Sequence, residues 1–439
     1  MRISTAQAFN NGISGLQNNY GNITRTQEEI STGKKILTPA DDPVASIKLL
    51  QISQEEALNS QYNTGMTAAK NSLNSEEAML SSVETVLSRI REIAVQAGNG
   101  ALDATDRASL AKEVGQREDE LMNLMNSKDA SGKYLFSGSM GDTQPYVRNA
   151  DGTYSYNGDE GQRSVQIASS TFLPLSDSGK DAFENNFNAN RVTTAKVDTN
   201  TGTGRISLGL VEDKAAYDSA FPQDIAANPT ATPPVPASKG SVGIHFLDDK
   251  SYVIYDPREA AIDWTTYDAA NPPAGQLGAG TLDNNPATSD FIRFGGIKVQ
   301  LDGVPAKGDE FTIRRNNDQE KRSLLNVVSD LRKALESGDN TTEGAYRVRD
   351  SGAVALSNLD TAYSQVDSVR GKIGARLNTI ESTSSFIADV SLVNKSVQSD
   401  LQDLDYAEAL SRYSLQNTVL QATQQSFVKV AQLSLFNYL

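Results

Sequence analysis

Apolar residues near the start of the chain fall at Ala6, Phe9, Ile13, Leu16, Tyr20, Ile23 and Ile30. Steps of three and four, closed by one of seven, are the a/d seam of a coiled coil, so this helix needs a partner helix. Ser31-Thr32-Gly33 supplies a stop, and the next helix starts at Asp42-Pro43, with Asp42 as N-cap and Pro43 in the first helical position. The same register continues through Tyr62, Met66, Ala69, Leu73, Leu80, Val83, Leu87, Ile90, Ala94 and Ala97, interrupted by Glu76, and predicts a long helix over 54–97. Gly98-Asn99-Gly100 breaks it, and a shorter helix follows through Leu110, Val114, Leu121 and Leu124.

The C-terminal third repeats the pattern. Leu324, Val328, Leu331 and Leu335 mark a short helix ended by Gly338. A second long seam runs through Leu356, Leu359, Tyr363, Val366, Ile373, Leu377, Ile380 and Ile387, broken at Arg370 and Ser384, then shifts to Val390, Val393, Val397, Leu401 and Leu404. The shift reads as a coiled-coil stutter within one helix over 347–405. Tyr413, Leu420 and Phe427 follow at intervals of seven, and the chain closes with Leu433, Leu435, Phe436, Tyr438 and Leu439.

Between Gly141 and Gly308 the period changes to two. Thr153-Tyr154-Ser155-Tyr156 lies between Asp151-Gly152 and Asn157-Gly158. Val242, Ile244 and Phe246 precede Asp248-Asp249 and then Tyr252 to Tyr255. Ile297, Val299 and Leu301 precede Asp302-Gly303 and then Phe311 and Ile313. Alternation bounded by such turns predicts antiparallel hairpins. Twelve of the 14 prolines lie between Pro145 and Pro305 and none follows, so long helices are allowed only in the flanks. The pattern therefore predicts an α+β fold of long terminal helices forming coiled-coil or bundle domains around a central antiparallel β-rich insert. Its parts are an assembly helix over 1–40 that pairs with 405–439, a helical rod built from 41–140 and 309–404, and the insert over 141–308. The insert is either one module or two split near the Pro-rich loop 226–236.

Composition narrows the chemistry. The 439 residues include no Cys, one His (His245), one Trp (Trp264), and 55 acidic against 40 basic residues. Thiol chemistry, Cys-based metal sites and a His-x-x-x-His zinc site are excluded, and a net charge of −15 argues against nucleic acid as a partner. No run of 18 apolar residues occurs, so no membrane insertion is expected, and Met1–Tyr20 lacks the pattern of a cleaved signal peptide. Asp41-Asp42 reads as a cap before Pro43, Glu118-Asp119-Glu120 as a solvated face, and His245 as an exposed residue opposite Ile244 and Phe246. Gly202-Thr203-Gly204 and Gly278-Ala279-Gly280 lack the third glycine of a dinucleotide loop. No catalytic, metal or cofactor residue is assigned. A carboxylate pair in the insert leaves no sequence signature, which keeps a surface-displayed carboxylate-dependent enzyme as an alternative.

Charge distribution says more than its total. Residues 1–30 carry only Arg2, Arg25, Glu28 and Glu29, and residues 409–439 only Arg412 and Lys429. Side-by-side packing of identical helices then meets little like-charge repulsion. The expected assembly interface is Phe9, Ile13, Leu16, Tyr20, Ile23 and Ile30 with Tyr413, Leu420, Phe427, Leu433 and Phe436. Too few large side chains line it to order these segments alone, so they are expected to fold as the chain joins an assembly.

Glu29-Ile30-Ser31-Thr32-Gly33-Lys34-Lys35-Ile36 with Asp41-Asp42-Pro43 resembles the N-terminal stretch of bacterial flagellins and hook-associated proteins. Arg89-Ile90-Arg91-Glu92-Ile93-Ala94-Val95-Gln96-Ala97 and Asp403-Leu404-Asp405-Tyr406-Ala407 share the resemblance, which covers roughly 1–140 and 320–439. Gly132-Lys133-Tyr134-Leu135-Phe136-Ser137-Gly138 and the ending Leu433-Ser434-Leu435-Phe436-Asn437-Tyr438-Leu439 look like the hook–filament junction branch rather than filament flagellin. The resemblance implies a structural, non-enzymatic adaptor in the extracellular flagellum. It would be exported through the flagellar type III channel and form a homo-oligomeric ring between hook-associated protein 1 and flagellin. A cytoplasmic chaperone would mask the C-terminal helix before export. Filament flagellin itself is the nearest alternative. The role of 141–308 does not follow from the resemblance.

Overall fold

The computed structural model describes residues 5–100, 102–232, 234, 237–259, 262–283 and 290–436, with side chains for all of these except 5, 6, 8, 318 and 430–436. Its helices are α1 (Thr5–Thr32), α2 (Pro43–Ala97), α3 (Ala104–Met125), α4 (Lys214–Ala220), α5 (Leu324–Ser337), α6 (Thr342–Gln402) and α7 (Tyr406–Phe436). The strands are β1 (Tyr146–Arg148), β2 (Tyr154–Tyr156), β3 (Ser164–Ala168), β4 (Thr171–Pro174), β5 (Val192–Lys196), β6 (Arg205–Ile206), β7 (Leu210–Val211), β8 (Ser241–Phe246), β9 (Ser251–Tyr255), β10 (Gln276–Thr281), β11 (Asp290–Phe294), β12 (Ile297–Asp302) and β13 (Glu310–Arg315). The α+β architecture is thus the one the periodicities predict. Two compact units share the elements: a terminal unit of Met1–Thr67, Gln166–Thr171 and Thr379–Leu439, and a central unit of Ala68–Val165 and Phe172–Asn378.

In the central unit, the seam of α2 is buried at Leu73, Leu80, Val83, Leu87, Ile90 and Ala94, and that of α6 at Leu359, Val366 and Ile373. Polar contacts fix their register. Tyr363 Oη donates to the Glu84 carbonyl at 2.8 Å, Arg91 meets Asp360 at 3.0 Å, and Arg370, which breaks the apolar spacing, clamps Glu77 at 2.6 Å and Glu84 at 2.5 Å. Helix α2 begins at Pro43, where the Asp42-Pro43 signal places it, and runs without a break into the 54–97 seam, because no Pro or Gly stands between Pro43 and Tyr62 to interrupt it. Helix α3 opens on a capping box, with Asp103 accepting from Thr105 N and Asp106 N while Asp106 reaches back to Asp103 N.

The Glu118-Asp119-Glu120 run is not uniformly solvated. Glu118 lies on the buried stripe of α3 with Arg107, Ala111, Val114 and Leu121. Its two oxygens accept from Tyr154 Oη at 2.7 Å and Arg332 Nε at 2.6 Å, while Asp119 and Glu120 stay outside. Reading three charges as one unit ignored that neighbours on a helix point about 100° apart.

The β-rich part of the central unit is a two-sheet sandwich. One sheet has the order β10-β9-β8-β13-β5, the other β11-β12-β6 with β7 also on β12. Val242, Ile244, Phe246, Phe311 and Ile313 from the first sheet and Ile292, Ile297, Val299 and Leu301 from the second close on one core, so the Pro-rich loop does not divide it. The Asp248-Asp249 turn does join a hairpin, with Ile244 opposite Ile254. The expected hairpin of Ile297–Leu301 with Phe311–Ile313 is absent: β12 and β13 belong to opposite sheets, and the connection through Gly303 and Gly308 crosses between them. Both strands alternate toward the same core, which satisfies the pattern equally well. The first sheet extends past 308 to Arg315.

His245 is buried, not exposed. Only 6% of its surface remains accessible, because β8 is an interior strand whose second face is covered by Trp264, stacked on the imidazole with ring centroids 3.9 Å apart. An ionic knot ties the sandwich to α6. Arg349 makes a bidentate pair with Asp302 at 2.6 and 2.7 Å, Arg205 reaches Asp350 at 2.9 Å and Glu343 at 3.0 Å, and both guanidinium groups lie over the ring of Tyr346.

Glu76 is fully buried in the α2 seam. One oxygen accepts from Asp177 N at 2.9 Å, and Asp177 is itself held by Arg376 at 2.7 and 2.9 Å and by Gln162 at 2.8 Å. The other oxygen has no partner. Burial first, and the Asp177 carboxylate second, push the Glu76 carboxyl well above the usual range. A carboxyl raised in the fold favours the folded state while protonated, and that contribution is lost as pH rises from the unfolded value of about 4.5 through the folded one. Glu76→Gln, a neutral isostere, should therefore match the wild type in thermal unfolding near pH 4.5 and exceed it increasingly at higher pH. By pH 8 the gain should be on the order of 1–3 kcal/mol. A gap that is constant with pH would contradict this reading.

Candidate assembly interface

In the terminal unit, α1 and α7 pack along their lengths. The Phe9 and Phe427 rings lie 5.0 Å apart, and Gly12 makes room for the latter, since a Cβ there would sit 2.9 Å from Phe427 Cδ2. Ile13, Leu16 and Ile30 are half-buried and Ile23 is buried. Facing them, Tyr413, Leu420 and Phe427 are half-buried. Leu433 and Phe436 lie in α7, with side chains outside the described residues. Tyr20 stands apart from the contact at 66% exposure, and Asn19 takes its place, donating to Thr423 Oγ1 at 3.2 Å. Ala409 and Thr26 complete the buried stripe.

Three of the six charged residues of the end segments, Arg25, Glu29 and Arg412, converge on one place. Glu29, 6% exposed, accepts from Arg25 at 3.3 Å and Arg412 at 2.6 Å, and Arg25 also reaches Asp41 at 2.5 Å. Asp41 caps the linker by accepting from Leu37 N and Thr38 N, and those backbone hydrogen bonds pull its carboxyl down to about 2. Asp42 Oδ1 accepts from Val44 N and Ala45 N, both at 3.0 Å, at the start of α2 on Pro43. Gly33, at φ +70°, turns the chain out of α1 beside Tyr406, and Lys35 N to Gln402 O at 2.8 Å with Leu404 N to Gly33 O at 3.0 Å pins the linker to the α6–α7 turn. These contacts explain why α6 stops at Gln402 rather than at 405.

The second helix pair of this unit carries polar groups in its internal face beside buried apolar ones. The first turns of α2 and the end of α6 face each other through Ile380, Ile387, Glu56 and Ser391, with Ser391 Oγ donating to Glu56 at 2.8 Å. Glu56, Asn59 and Asn394 each keep one buried polar atom without a partner. Other apolar positions lie outside: Val44, Ile47 and Leu58 on α2, and Phe386, Val393 and Val397 on α6, are 39–68% exposed. The shift to Val390, Val393 and Val397 is thus not a stutter in the internal seam, which keeps its register through Ser391 and Asn394. It is a second apolar face on the same helix. Among the described residues, 15 of the 25 exposed large apolar side chains belong to the terminal unit, which holds under a third of the chain. Such concentration marks a surface that another protein covers. Among the described residues no group of three or more His, Asp or Glu is placed to hold a metal ion, and no helix is long and apolar enough to cross a membrane.

Comparison with known proteins agrees with this geometry. The bacterial flagellin N-terminal helical region matches residues 3–140 and the C-terminal helical region matches 356–439, together just over half of the chain. Flagellar hook-associated protein 3 of Salmonella typhimurium is 36% identical over 192 residues, 44% of this chain and 59% of that protein, so this match spans less than two thirds of the relative's length. Hook-associated protein 3 of Escherichia coli is 25% identical over 436 residues, 99% of each chain. The crystal structure of the flagellar junction protein FlgL from Legionella pneumophila superposes with a TM-score of 0.60 at 26% identity, covering 81% of this chain and all of that one. With flagellin helical regions at both ends and a likeness to hook-associated protein 3 that runs from end to end, the chain belongs to the flagellin family, in its hook-associated protein 3 branch.

Proposed function

We propose that this chain is the structural adaptor between hook and filament in the bacterial flagellum, a self-assembling ring rather than an enzyme. The observation that carries the junction reading over a filament reading is the 36% identity to hook-associated protein 3 over 192 residues, together with the superposition on the flagellar junction protein's crystal structure. In this proposal α1 and α7 form the inner contact, with Phe9, Ile13, Leu16, Ile23, Ile30, Tyr413, Leu420, Phe427, Leu433 and Phe436 as its apolar residues, and the exposed Tyr20 is left to meet a neighbouring copy. The outward faces of α2 and α6 meet neighbouring subunits, and the sandwich faces outward. Hook-associated protein 1 abuts the ring on one side and flagellin on the other. The half-buried face of α7 suits a cytoplasmic chaperone before export, which proceeds without a cleaved signal peptide to the extracellular flagellum.

Deleting the gene tests the junction role against the filament role. Intact hooks that shed monomeric flagellin into the medium are expected, with filaments restored on complementation. Filaments of normal length in the deletion strain would overturn the proposal.

A further inference from the structure

The chain's one histidine and one tryptophan meet in the sandwich. Trp264 belongs to the loop between β9 and β10, which is closed at its base by Asp256 N to Gly275 O at 2.9 Å. Within that loop Asp263 accepts from Thr265, and Tyr267 Oη donates to Gln276 Oε1 at 3.0 Å. Trp264 reaches back over the sheet: its ring lies parallel to the His245 imidazole at 3.9 Å and 6°, edge-on to Tyr255 at 5.1 Å and 6.0 Å from Tyr267. The imidazole Nδ1 is 2.8 Å from Glu310 Oε1, directly across the ladder on β13.

From this geometry we propose that His245, Glu310 and Trp264 form a proton-operated clasp that fastens the Asp263–Tyr267 stretch to the sheet when the imidazole is charged and releases it when neutral. A protonated imidazole gains on both sides at once, by a charge-assisted hydrogen bond to Glu310 and by cation–π attraction to the indole. A neutral imidazole in its Nδ1–H tautomer still donates to Glu310, but the cationic charge behind that bond and the cation–π attraction to the indole are gone. Imidazole charge changes between about pH 5 and 8, where no other side chain normally titrates. The groups facing the imidazole are Glu310 from β13, Tyr255 from β9 and the indole from the loop. Tyr255, pushed up to about 12 by burial and then by Glu310, stays neutral throughout that range. The sandwich would thus carry a loop whose hold on the sheet follows the pH of its surroundings.

The test is indole emission together with amide hydrogen exchange on the full chain from pH 5 to 8.5, exchange being corrected for its intrinsic pH dependence. A charged imidazole quenches a stacked indole, so emission should rise at least twofold with pH in one step, and exchange over 262–267 should accelerate at least fivefold over the same step. His245→Gln should flatten the emission profile. His245→Phe retains a stacked ring without charge and should flatten both, with an unchanged far-ultraviolet dichroism spectrum as the control for folding. Emission that titrates without any change in exchange, or an exchange profile in His245→Phe that still follows pH, would overturn the clasp.

Discussion

Replacing Leu420 and Phe427 by Ala will abolish incorporation into the flagellum while leaving the central unit folded. Both side chains lie on the α1-facing stripe of α7, and Phe427 fills the notch at Gly12 against Phe9. Truncating a fully buried Leu or Phe costs about 2–5 kcal/mol, and at half burial about 1–3 is expected for each. Two such losses in one contact lower its association constant on the order of 100-fold or more. The loss cannot spread to the sandwich, whose core is drawn from Val192 to Ile313. Secreted variant protein should therefore show the wild-type thermal transition of the central unit while filaments fail to form. Normal filaments would show that the α1–α7 contact is dispensable.

The second large effect separates the outward face of α6 from the fold of the monomer. Val393→Glu with Val397→Glu places two carboxylates where the side chains are now 60% and 39% exposed, so the isolated chain should change by no more than about 0.5 kcal/mol per site. Once a neighbouring helix covers that face, two unpaired charges are desolvated, at several kcal/mol each. Size-exclusion and unfolding behaviour of the monomer should stay as in the wild type, and ring and filament formation should be lost. A destabilised monomer that still assembles would place these valines in an internal seam. Val→Ala at both sites should weaken assembly far less than Val→Glu, because only apolar area is removed.

Much of the fold could be read from periodicity. The α1, α2 and α6 seams, the Gly33 and Pro43 boundaries, and the β8–β9 hairpin all follow from spacing, since a helix or hairpin is specified by residues close in sequence. What escaped depends on a third element arriving from far away. Glu76 is buried because Asp177 reaches it from 101 residues on, and Glu118 because Arg332 does so from 214 residues on. His245 is covered by an aromatic ring that the strand pattern cannot announce. The β12 and β13 strands were correct in period and wrong in pairing, because alternation states which face is apolar and not which sheet supplies the partner.

The interface shows the same limit. A heptad spacing identifies residues that share a face, yet α6 carries two faces. The internal one runs through Ile380 and Ile387 and turns polar at Ser391 and Asn394, while a second, apolar one is external. Sparse charge in the end segments was legible as a sign of close packing, but the convergence of Arg25, Glu29 and Arg412 with Asp41 was not. Those four lie on three different segments.

The place proposed for this chain is between hook and filament. Electron microscopy of flagella, using gold-conjugated antibody against the sandwich, measures that place directly. A narrow band confined to the distal end of the hook, present on detached hooks and absent along the filament, is the predicted result. Label distributed along the whole filament would contradict it.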